Sequence, residues 1–411
     1  MNGDDLRVAF FPDAYHEVDG VANTSRQFEA FARRRGLPFL TVLGGTQRRL
    51  EPDGSVLRVE LPRGWPSFPL DKKHDFDLSF LRHYNAIEAQ VRNFNPDIVH
   101  ITGPSDVGIL GCFIAHRMKI PLAASWHTNL HQYAEQRSRS LVSWLPGMVA
   151  NRIGLAAGRG SLACLLRFYH IPQILFAPNQ ELITLLEKGT GKPCFLMGRG
   201  VDTELFDPKR RTRHDGPFVI GYVGRLTVEK NIRSLVEIEQ SLLAMNCRGF
   251  QFLIVGQGAE EGWLRARMKN ARFTGVLRGE ELAEAYANMD AFVFPSETDT
   301  YGNVVLEAQA SGVPAIVTGS GGPRFIVRAR ETGFIAHTPE EFAASILRLQ
   351  NHHGELACMR AMARTHALAA SWDKVFDDVY AGYERGLLAP GIVGKKIRPR
   401  SGASMMSARF S

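Results

Sequence analysis

The stretch Asp290-Ala-Phe-Val-Phe-Pro-Ser-Glu-Thr-Asp-Thr-Tyr-Gly-Asn-Val-Val-Leu-Glu-Ala-Gln-Ala-Ser-Gly-Val-Pro314 decides the fold class. Its first apolar run, residues 291–294, has the length of a buried strand and ends at a proline. A polar loop follows, and apolar residues then recur at helical spacing until Gly312. The pattern predicts a strand, a loop and a helix, with Asn303 as the expected cap of that helix.

Two acids flank the start of this predicted helix. Asp299 lies in the loop, and Glu307 follows eight residues later in the helix. A helix N-terminus offers free N–H groups and a positive dipole end, which suit a phosphate. Two hydroxyl-binding carboxylates on either side of an anion site fit a sugar nucleotide. The alternative is an ordinary solvated helix start, because acids favour first turns in any case.

Length and composition indicate a globular protein of two domains. The chain has 411 residues, 45% of them hydrophobic and 22% charged, and one core rarely supports that length. No apolar run reaches the 18 or so residues of a membrane span, and the acidic start of the chain does not resemble a signal peptide. We therefore expect a cytoplasmic location. The five cysteines are far apart and odd in number, which predicts reduced, mostly structural thiols.

The net charge of +7 is concentrated near the end of the chain. Residues 391–411 contain no acid, and their five basic residues are Lys395, Lys396, Arg398, Arg400 and Arg409. The remaining residues therefore carry +2, which argues against a nucleic-acid partner. We expect residues 391–411 to form a disordered basic tail.

Short apolar runs alternate with helix-length segments in two series. The runs are residues 7–11, 38–42, 97–101, 122–126 and 174–177, and then 218–223, 252–255, 291–294 and 315–318. This alternation predicts an α/β fold with parallel, doubly wound sheets. A charged, proline-containing stretch at residues 207–217 separates the series and is the predicted linker. A ligand should then lie in the cleft between the halves, at the carboxyl ends of the strands.

Residues suited to an anion or a sugar follow several of these strands. Gly20 lies in the loop after the first strand, and His127 follows the strand that ends at residue 126. Arg225 and Lys230 follow the first strand of the second series and suit a diphosphate. Each has a plainer alternative: a turn glycine, a structural histidine or surface cations. Gly256-Gln-Gly258 resembles a dinucleotide fingerprint, but Glu261 replaces its third glycine, so we reject a dehydrogenase.

Three segments in this order carry a family resemblance. They are Arg199-Gly-Val-Asp-Thr-Glu-Leu-Phe-Asp-Pro208, Gly224-Arg225 with Glu229-Lys230-Asn231, and the pair Asp299-x7-Glu307. Together they resemble the retaining GT-B glycosyltransferases of family 4, nearest to the bacterial GDP-mannose-dependent α-mannosyltransferases. The resemblance covers residues 5–386. It implies an acceptor-binding Rossmann-like domain at 1–208, a nucleotide-sugar-binding one at 209–370, and a terminal helix at 371–390 that crosses back to the first.

The resemblance also implies residue roles. Asp299 would hold the hexose hydroxyls and Glu307 the ribose hydroxyls, while Arg225 and Lys230 would hold the diphosphate. Gly20 would approach the diphosphate, and His127 would lie beside the hexose. Further donor contacts are implied for Arg199, Val276, Asn303 and Val304. The sequence departs from the family in having Asp299 where most members have Glu, and Asp19-Gly20 where many have Gly-Gly.

We predict a metal-independent enzyme without a cofactor, whose co-substrate is a nucleotide-diphosphate sugar. The metal-binding signature Asp-x-Asp occurs at Asp75-Phe-Asp77, in a stretch poorly placed for it. The alternatives are a UDP-sugar-dependent glucosyl- or sulfoquinovosyl-type transferase, an epimerase or hydrolase on the same frame, and a non-catalytic nucleotide-sugar-binding protein. The donor base, the sugar, the acceptor, the linkage and the oligomeric state stay open.

The acceptor is expected to be a lipid-linked or carbohydrate hydroxyl. Residues 137–169 mix apolar residues with five arginines and contain no acid. This pattern fits either a core-facing amphipathic helix, the commoner case, or a patch that touches an anionic membrane surface. The second interpretation predicts a peripheral protein on the inner face of the plasma membrane.

Overall fold

The computed structural model describes residues 6–17, 20–64, 67–71, 74–142, 144 and 146–388. The predicted basic tail at 391–411 and Asp19 in the first loop lie outside these residues. Among the described residues, no helix combines the length and the apolar character that crossing a bilayer requires.

The first sheet is built from the N-terminal half of the described chain. The strands of this half are β1 Val8–Phe11, β2 Phe39–Gly45, β3 Arg49–Asp53, β4 Val56–Pro62, β5 Ser67–Asp71, β6 His74–Asp77, β7 Ile98–Ile101, β8 Leu122–Ser125, β9 Ile174–Ala177 and β10 Cys194–Leu196. The sheet has the order β10-β9-β8-β7-β1-β2-β4-β3, and β5 pairs with β6 in a separate hairpin. Its pairings are parallel apart from the antiparallel β3 and β4.

The second sheet is parallel at each described pairing. Its strands are β11 Phe218–Val223, β12 Phe250–Val255, β13 Ala271–Gly275, β14 Ala291–Phe294, β15 Ala315–Thr318 and β16 Gly333–Ala336. Their order is β13-β12-β11-β14-β15-β16. The central strand β14, Ala-Phe-Val-Phe, is buried along its whole length, as expected for a parallel strand covered by helices on both faces.

Helices connect the strands in both halves. They are α1 Gly20–Arg35, α2 Tyr84–Phe94, α3 Asp106–Met118, α4 Leu130–Leu141, α5 Gly147–Tyr169, α6 Gln180–Thr190, α7 Ser234–Ala244, α8 Glu261–Arg265, α9 Gly279–Ala287, α10 Asn303–Ala310, α11 Pro339–Asn351, α12 His353–Leu368 and α13 Trp372–Leu387. The prediction of an α/β fold with two doubly wound parallel sheets is therefore confirmed.

The terminal helix α13 lies against α1 of the first half. The rings of Phe28 and Phe376 stack with centroids 4.5 Å apart, and Trp372 stacks on Phe376 at 5.5 Å. The strands of the first sheet come before the predicted linker in the sequence, and those of the second sheet come after it. The domain boundary at residue 208 stays a prediction.

The predicted linker is held by the second half. Arg211 and Arg213 both bind the carboxylate of Asp290, which is 7% exposed, and Arg360 reaches it at 3.3 Å. Because Asp290 precedes β14, this ionic cluster joins the linker to the base of the strand that leads into the candidate site.

Candidate functional site

Helix α10 begins where the loop after β14 reverses direction. Its N-cap is Gly302, whose φ of 101° lies in the left-handed region that favours glycine. Asn303 is the first helical residue, so the prediction that its side chain caps the helix is wrong. The described structure shows no side-chain cap at this end, and the N–H of Val305 donates to the Gly302 carbonyl oxygen at 2.9 Å. Within the described residues the N–H groups of Asn303 and Val304 have no such acceptor, so they are available to a ligand.

Asp299 and Lys230 form an ion pair at the mouth of this loop. Lys230 Nζ lies 2.6 Å from Asp299 Oδ1, with the two side chains only 12% and 21% exposed. The second carboxylate oxygen, Oδ2, is buried and lacks a hydrogen-bond partner within the described residues. A buried acceptor without a donor is costly, so a ligand hydroxyl at this point would be stabilising.

The backbone of the Asp299 loop is braced by the segment after β15. The N–H of Gly322 donates to the carbonyl oxygen of Asp299 at 2.7 Å. A Cβ at Gly322 would lie 2.0 Å from the carbonyl oxygen of Thr300, so only glycine allows this close approach. The position of Asp299 is therefore set by backbone contacts as well as by Lys230.

Glu307 is the fifth residue of α10. Tyr286 of α9 donates its hydroxyl to Glu307 Oε2 at 2.8 Å. Burial raises the pKa of Glu307, and the hydrogen bond from Tyr286 partly offsets this. Within the described residues Glu307 Oε1 accepts no comparable side-chain hydrogen bond, so this oxygen could accept one from a ligand.

Arg225 stands apart from the Asp299–Lys230 pair. Its side chain is 52% exposed, and its guanidinium lies 3.7 Å from Glu229. The hydroxyl of Tyr222 donates to the Arg225 carbonyl oxygen at 3.0 Å, which holds the backbone of this residue. The structure thus brings Lys230 to Asp299 and pairs the exposed Arg225 with Glu229 instead.

Gly20 is the first residue of α1 rather than part of a preceding loop. A Cβ built on Gly20 would lie 3.3 Å from Asn303 Nδ2, so the N-termini of α1 and α10 adjoin across the cleft. Val304 is the second residue of α10. Val276 directly follows β13 and is 47% exposed.

His127 and Arg199 meet inside the first half. Arg199 donates to His127 Nδ1 at 2.8 Å, and His127 Nε2 lies 2.6 Å from Ser125 Oγ. Arg199 is 4% exposed and also donates to the carbonyl oxygens of Met197 and Gly198. Burial lowers the pKa of Arg199 to about 10. Burial also lowers the pKa of His127, and the nearby Arg199 and His100 lower it further. Both ring nitrogens of His127 are therefore occupied by protein groups.

Contacts across the cleft involve residues that sequence reasoning missed. Thr300 Oγ1 donates to the His127 carbonyl oxygen at 2.8 Å, and Asn179 Nδ2 donates to the Thr300 carbonyl oxygen at 2.8 Å. Tyr301 OH donates to the Arg199 carbonyl oxygen at 3.4 Å. The available signal was position alone, since Thr300 and Tyr301 directly follow Asp299.

A cavity of about 360 Å³ lies beside the Asp299 loop. Glu135 and Arg139 of α4 and Glu181 of α6 line one side. Glu297 and Arg324 line the other, and Arg324 bridges to Glu181 at 2.9 Å. The cavity is therefore shared by both halves and has charged walls.

The Asp75-Phe-Asp77 segment does not offer a free carboxylate at its second acid. Asp77 accepts from Arg82 at 2.6 Å and from the N–H of Gly64 at 2.8 Å. Within the part of the chain that the structure describes, no three His, Cys, Asp or Glu side chains gather as metal ligands would.

Two family descriptions match the chain, one in each half. Residues 15–156 match the family "Glycosyl transferase 4-like domain", and residues 217–352 match "Glycosyl transferases group 1".

Curated relatives extend over most of the chain. The GDP-mannose-dependent alpha-mannosyltransferase of Mycolicibacterium smegmatis is 29% identical over 387 residues, covering 92% of this chain and 97% of that protein. A sulfoquinovosyl transferase of Arabidopsis thaliana is 29% identical over 350 residues, covering 80% of this chain and 63% of that protein.

Among solved structures, the sucrose-phosphate synthase of Thermosynechococcus elongatus shares the fold. Its TM-score is 0.72 at 17% identity, covering 92% of this chain and 98% of that one.

Proposed function

Because the chain belongs to the family 4 glycosyltransferases of the GT-B fold, we propose that it moves a hexose from a nucleoside diphosphate sugar to an acceptor hydroxyl with retention of configuration. The proposed donor is GDP-mannose, in line with the mycobacterial relative that is 29% identical over nearly the whole chain. The observation that carries the proposal is Asp299 Oδ2, which is buried without a hydrogen-bond partner among the described residues and lies beside Lys230 and the uncapped N-terminus of α10.

The proposed roles follow from the chemistry of each group. The nucleoside diphosphate leaves with growing negative charge, which Lys230, Arg225 and the N–H groups of α10 would stabilise. Asp299 Oδ2 would accept a hydrogen bond from a hexose hydroxyl, and Glu307 Oε1 would accept from the ribose. Gly20, Asn303, Val304 and Val276 would supply the further donor contacts that the family resemblance implies.

No cofactor is needed for this scheme. The departing phosphate would take the proton of the acceptor hydroxyl on the face that the leaving group occupies. The bond from the anomeric carbon to the phosphate breaks as the bond to the acceptor oxygen forms. The positive charge that a metal would supply is already present in Lys230, Arg225 and the helix end.

A panel of GDP- and UDP-sugars tests the proposal. We expect GDP release from GDP-mannose in the presence of acceptor, with the mannose found on the acceptor. Release from UDP-sugars instead would favour the glucosyl- or sulfoquinovosyl-type alternative, which the similarity to the Arabidopsis sulfoquinovosyl transferase supports. Free mannose as the product would indicate a hydrolase, and binding without release would indicate a non-catalytic protein.

The same panel is also measured with and without divalent metal ions. Rates measured in excess chelator are expected to equal those measured with magnesium. A rate that is lost in chelator and restored by manganese or magnesium would show that the protein cations are insufficient.

The acceptor is proposed to be a lipid-linked or glycolipid hydroxyl that enters the charged cavity beside Asp299. The hairpin of α4 and α5 next to this cavity exposes large apolar side chains. Leu141, Trp144 and Met148 are 73%, 81% and 83% exposed. This exposure contradicts the expectation of a core-facing helix for these residues. Because residues 137–169 also carry five arginines and no acid, we propose that the hairpin touches an anionic membrane surface.

Binding to vesicles is therefore expected to depend on both kinds of side chain. Each arginine near an anionic surface contributes on the order of 1 kcal/mol. Arg152 and Arg159 are exposed, so changing both to Glu should weaken sedimentation with phosphatidylglycerol vesicles at low salt. Trp144→Ser with Met148→Ser should weaken it further at higher salt, where the apolar contribution dominates.

The control replaces Arg265 and Arg267 of the second half by Glu, which should leave vesicle binding unchanged. The basic residues after 390 would produce a similar signal, so the comparison is repeated in a chain that ends at Pro390. A shortened chain that ignores anionic vesicles at low salt would contradict the membrane surface and favour a water-soluble acceptor.

A further inference from the structure

A chain of buried polar side chains runs from the cleft to the terminal helix. Arg199 contacts His127 at 2.8 Å, His127 contacts Ser125 at 2.6 Å, and Ser125 contacts His100 Nε2 at 2.9 Å. His100 Nδ1 then contacts the hydroxyl of Tyr383 on α13. None of the five residues is more than 6% exposed. Polar groups at such depth are held by their mutual hydrogen bonds, so removing one group changes the hydrogen bonding of its neighbour.

The direction of these hydrogen bonds follows from the chemistry of the groups. A guanidinium only donates, so His127 Nδ1 must accept from Arg199. Burial lowers the pKa of His127, so its ring is neutral and its one proton lies on Nε2. His127 therefore donates to Ser125 Oγ, and the Ser125 hydroxyl donates to His100 Nε2. The remaining proton of the neutral His100 ring then lies on Nδ1, facing Tyr383.

The tautomer of His127 matters because Arg199 depends on it. Within the described residues Arg199 has no carboxylate partner, and its other acceptors are the carbonyl oxygens of Met197 and Gly198. If the proton of His127 moved to Nδ1, two donors would face each other at 2.8 Å. Arg199 would then lose an acceptor while buried, which is unfavourable for a charged group.

Arg199 and His127 also touch the loop that carries Asp299. Thr300 donates to the His127 carbonyl oxygen, and Tyr301 donates to the Arg199 carbonyl oxygen. The guanidinium carbon of Arg199 lies 6.0 Å from the centroid of the Tyr301 ring. This series of buried hydrogen bonds therefore reaches Thr300 and Tyr301, the two residues after Asp299, although it begins at Tyr383 on α13.

We propose that Ser125, His100 and Tyr383 are positioning residues, which hold His127 as its Nε2–H tautomer and thereby keep Arg199 and the Asp299 loop in place for glycosyl transfer. The inference rests on the proposed function. It assigns to the terminal helix a part in the chemistry, in addition to its packing against α1.

The tautomers are tested first, by a measurement that needs no turnover. In the full-length protein, ¹⁵N NMR of the histidine rings is expected to show His127 protonated on Nε2 alone. In Tyr383→Phe, a share of the His127 rings is expected to carry the proton on Nδ1. Tyr380→Phe is the matched control, because it removes a buried hydroxyl from the same helix and aromatic cluster without contacting His100. A wild-type His127 protonated on Nδ1, or equal spectra for all three proteins, would overturn the proposal.

The second measurement separates positioning from stability. Tyr383→Phe is expected to lower kcat about tenfold. Small misplacements of reacting groups can lower a rate by up to about a hundredfold. The expected loss is smaller because Arg199 still donates to the carbonyl oxygens of Met197 and Gly198. The Kd of GDP, measured by calorimetry, is expected to change less than about twofold, since the proposed contacts of Lys230, Arg225 and Glu307 belong to the second half and do not involve Tyr383.

Ser125→Ala cuts the same chain nearer the cleft. Adding Tyr383→Phe to it should therefore lower kcat no further, whereas independent structural effects would multiply. Multiplied losses, or a loss in Tyr380→Phe equal to that in Tyr383→Phe, would contradict the proposal. If no donor is turned over at all, the proposed function fails. The NMR measurement still shows whether Tyr383 controls the tautomer of His127.

Discussion

Lys230→Ala is expected to lower turnover by about a hundredfold or more, which corresponds to about 2.7 kcal/mol of transition-state stabilisation. Lys230 is 12% exposed and already lies 2.6 Å from Asp299, so its ammonium is held in place before a ligand arrives. A preorganised charge on a leaving diphosphate acts most strongly when it is shielded from water. Steady-state rates with saturating donor measure the effect.

Arg225→Ala should show a loss of similar size, because in the proposed reaction this guanidinium, which lies in the same loop as Lys230, would also bind the diphosphate. Lys230→Arg should retain part of the rate, since it keeps the charge and changes the geometry. The matched control is Arg233→Ala, which removes an exposed cation that pairs with Glu260 just after the same loop and should act like wild type. Near wild-type rates in both Arg225→Ala and Lys230→Ala would remove the diphosphate clamp from the mechanism.

Asp299→Asn is expected to depress the maximal rate, while Glu307→Gln is expected to raise the KM of the donor. Asp299 would contact the hexose, whose charge changes in the transition state, whereas a ribose contact acts equally before and during the reaction. Asp299→Asn also removes the partner of Lys230 without changing the size of the side chain. Full kinetic curves against donor concentration separate the two effects.

Tyr286→Phe provides an independent probe of the ribose end. It removes the hydroxyl that orients Glu307 and should raise the donor KM less than Glu307→Gln does. Glu284→Gln on the same helix α9 is the control, because that acid is exposed and binds Thr212. A fall in maximal rate for Glu307→Gln with a raised KM for Asp299→Asn would mean that the donor lies in the opposite orientation.

Much of the fold was predictable because buried parallel strands are continuous apolar runs. The predicted strands at 174–177, 218–223, 291–294 and 315–318 are observed at those residues. Strand β13, Ala271-Arg-Phe-Thr-Gly275, was missed because it lies at the sheet edge and is only half-buried, so it lacks that signal. The short edge strands β10 and β16 were missed as well.

The candidate site was predictable to the extent that it follows strand ends. Asp299, Lys230 and Glu307 all lie in the second half, and the structure places them around the start of α10. The capping error arose because the sequence shows Asn303 as a favoured cap, whereas the left-handed turn requires the glycine before it.

The partners of His127 were beyond sequence reasoning. Tyr383 contacts His100 across 283 positions, and such contacts depend on how the terminal helix packs. One signal was present, since His100 interrupts the apolar strand Ile-Val-His-Ile and a buried histidine needs partners. The exposure of Trp144 and Met148 was equally a matter of tertiary packing, because helical spacing alone does not say which face meets the core.

The meeting of two helix N-termini at Gly20 and Asn303 has a thermodynamic consequence. Each end carries about half a positive charge, so the two ends repel each other and an anion between them would relieve that repulsion. If the chain binds a nucleoside diphosphate sugar as proposed, diphosphate binding and the closeness of the two helix ends would be linked, and linkage is reciprocal. If the close approach of the two helix ends strengthens diphosphate binding by a certain free energy, diphosphate binding would stabilise that close approach by the same free energy. In the proposed reaction the nucleoside diphosphate keeps that charge after transfer, so its release would restore the repulsion between the two helix ends.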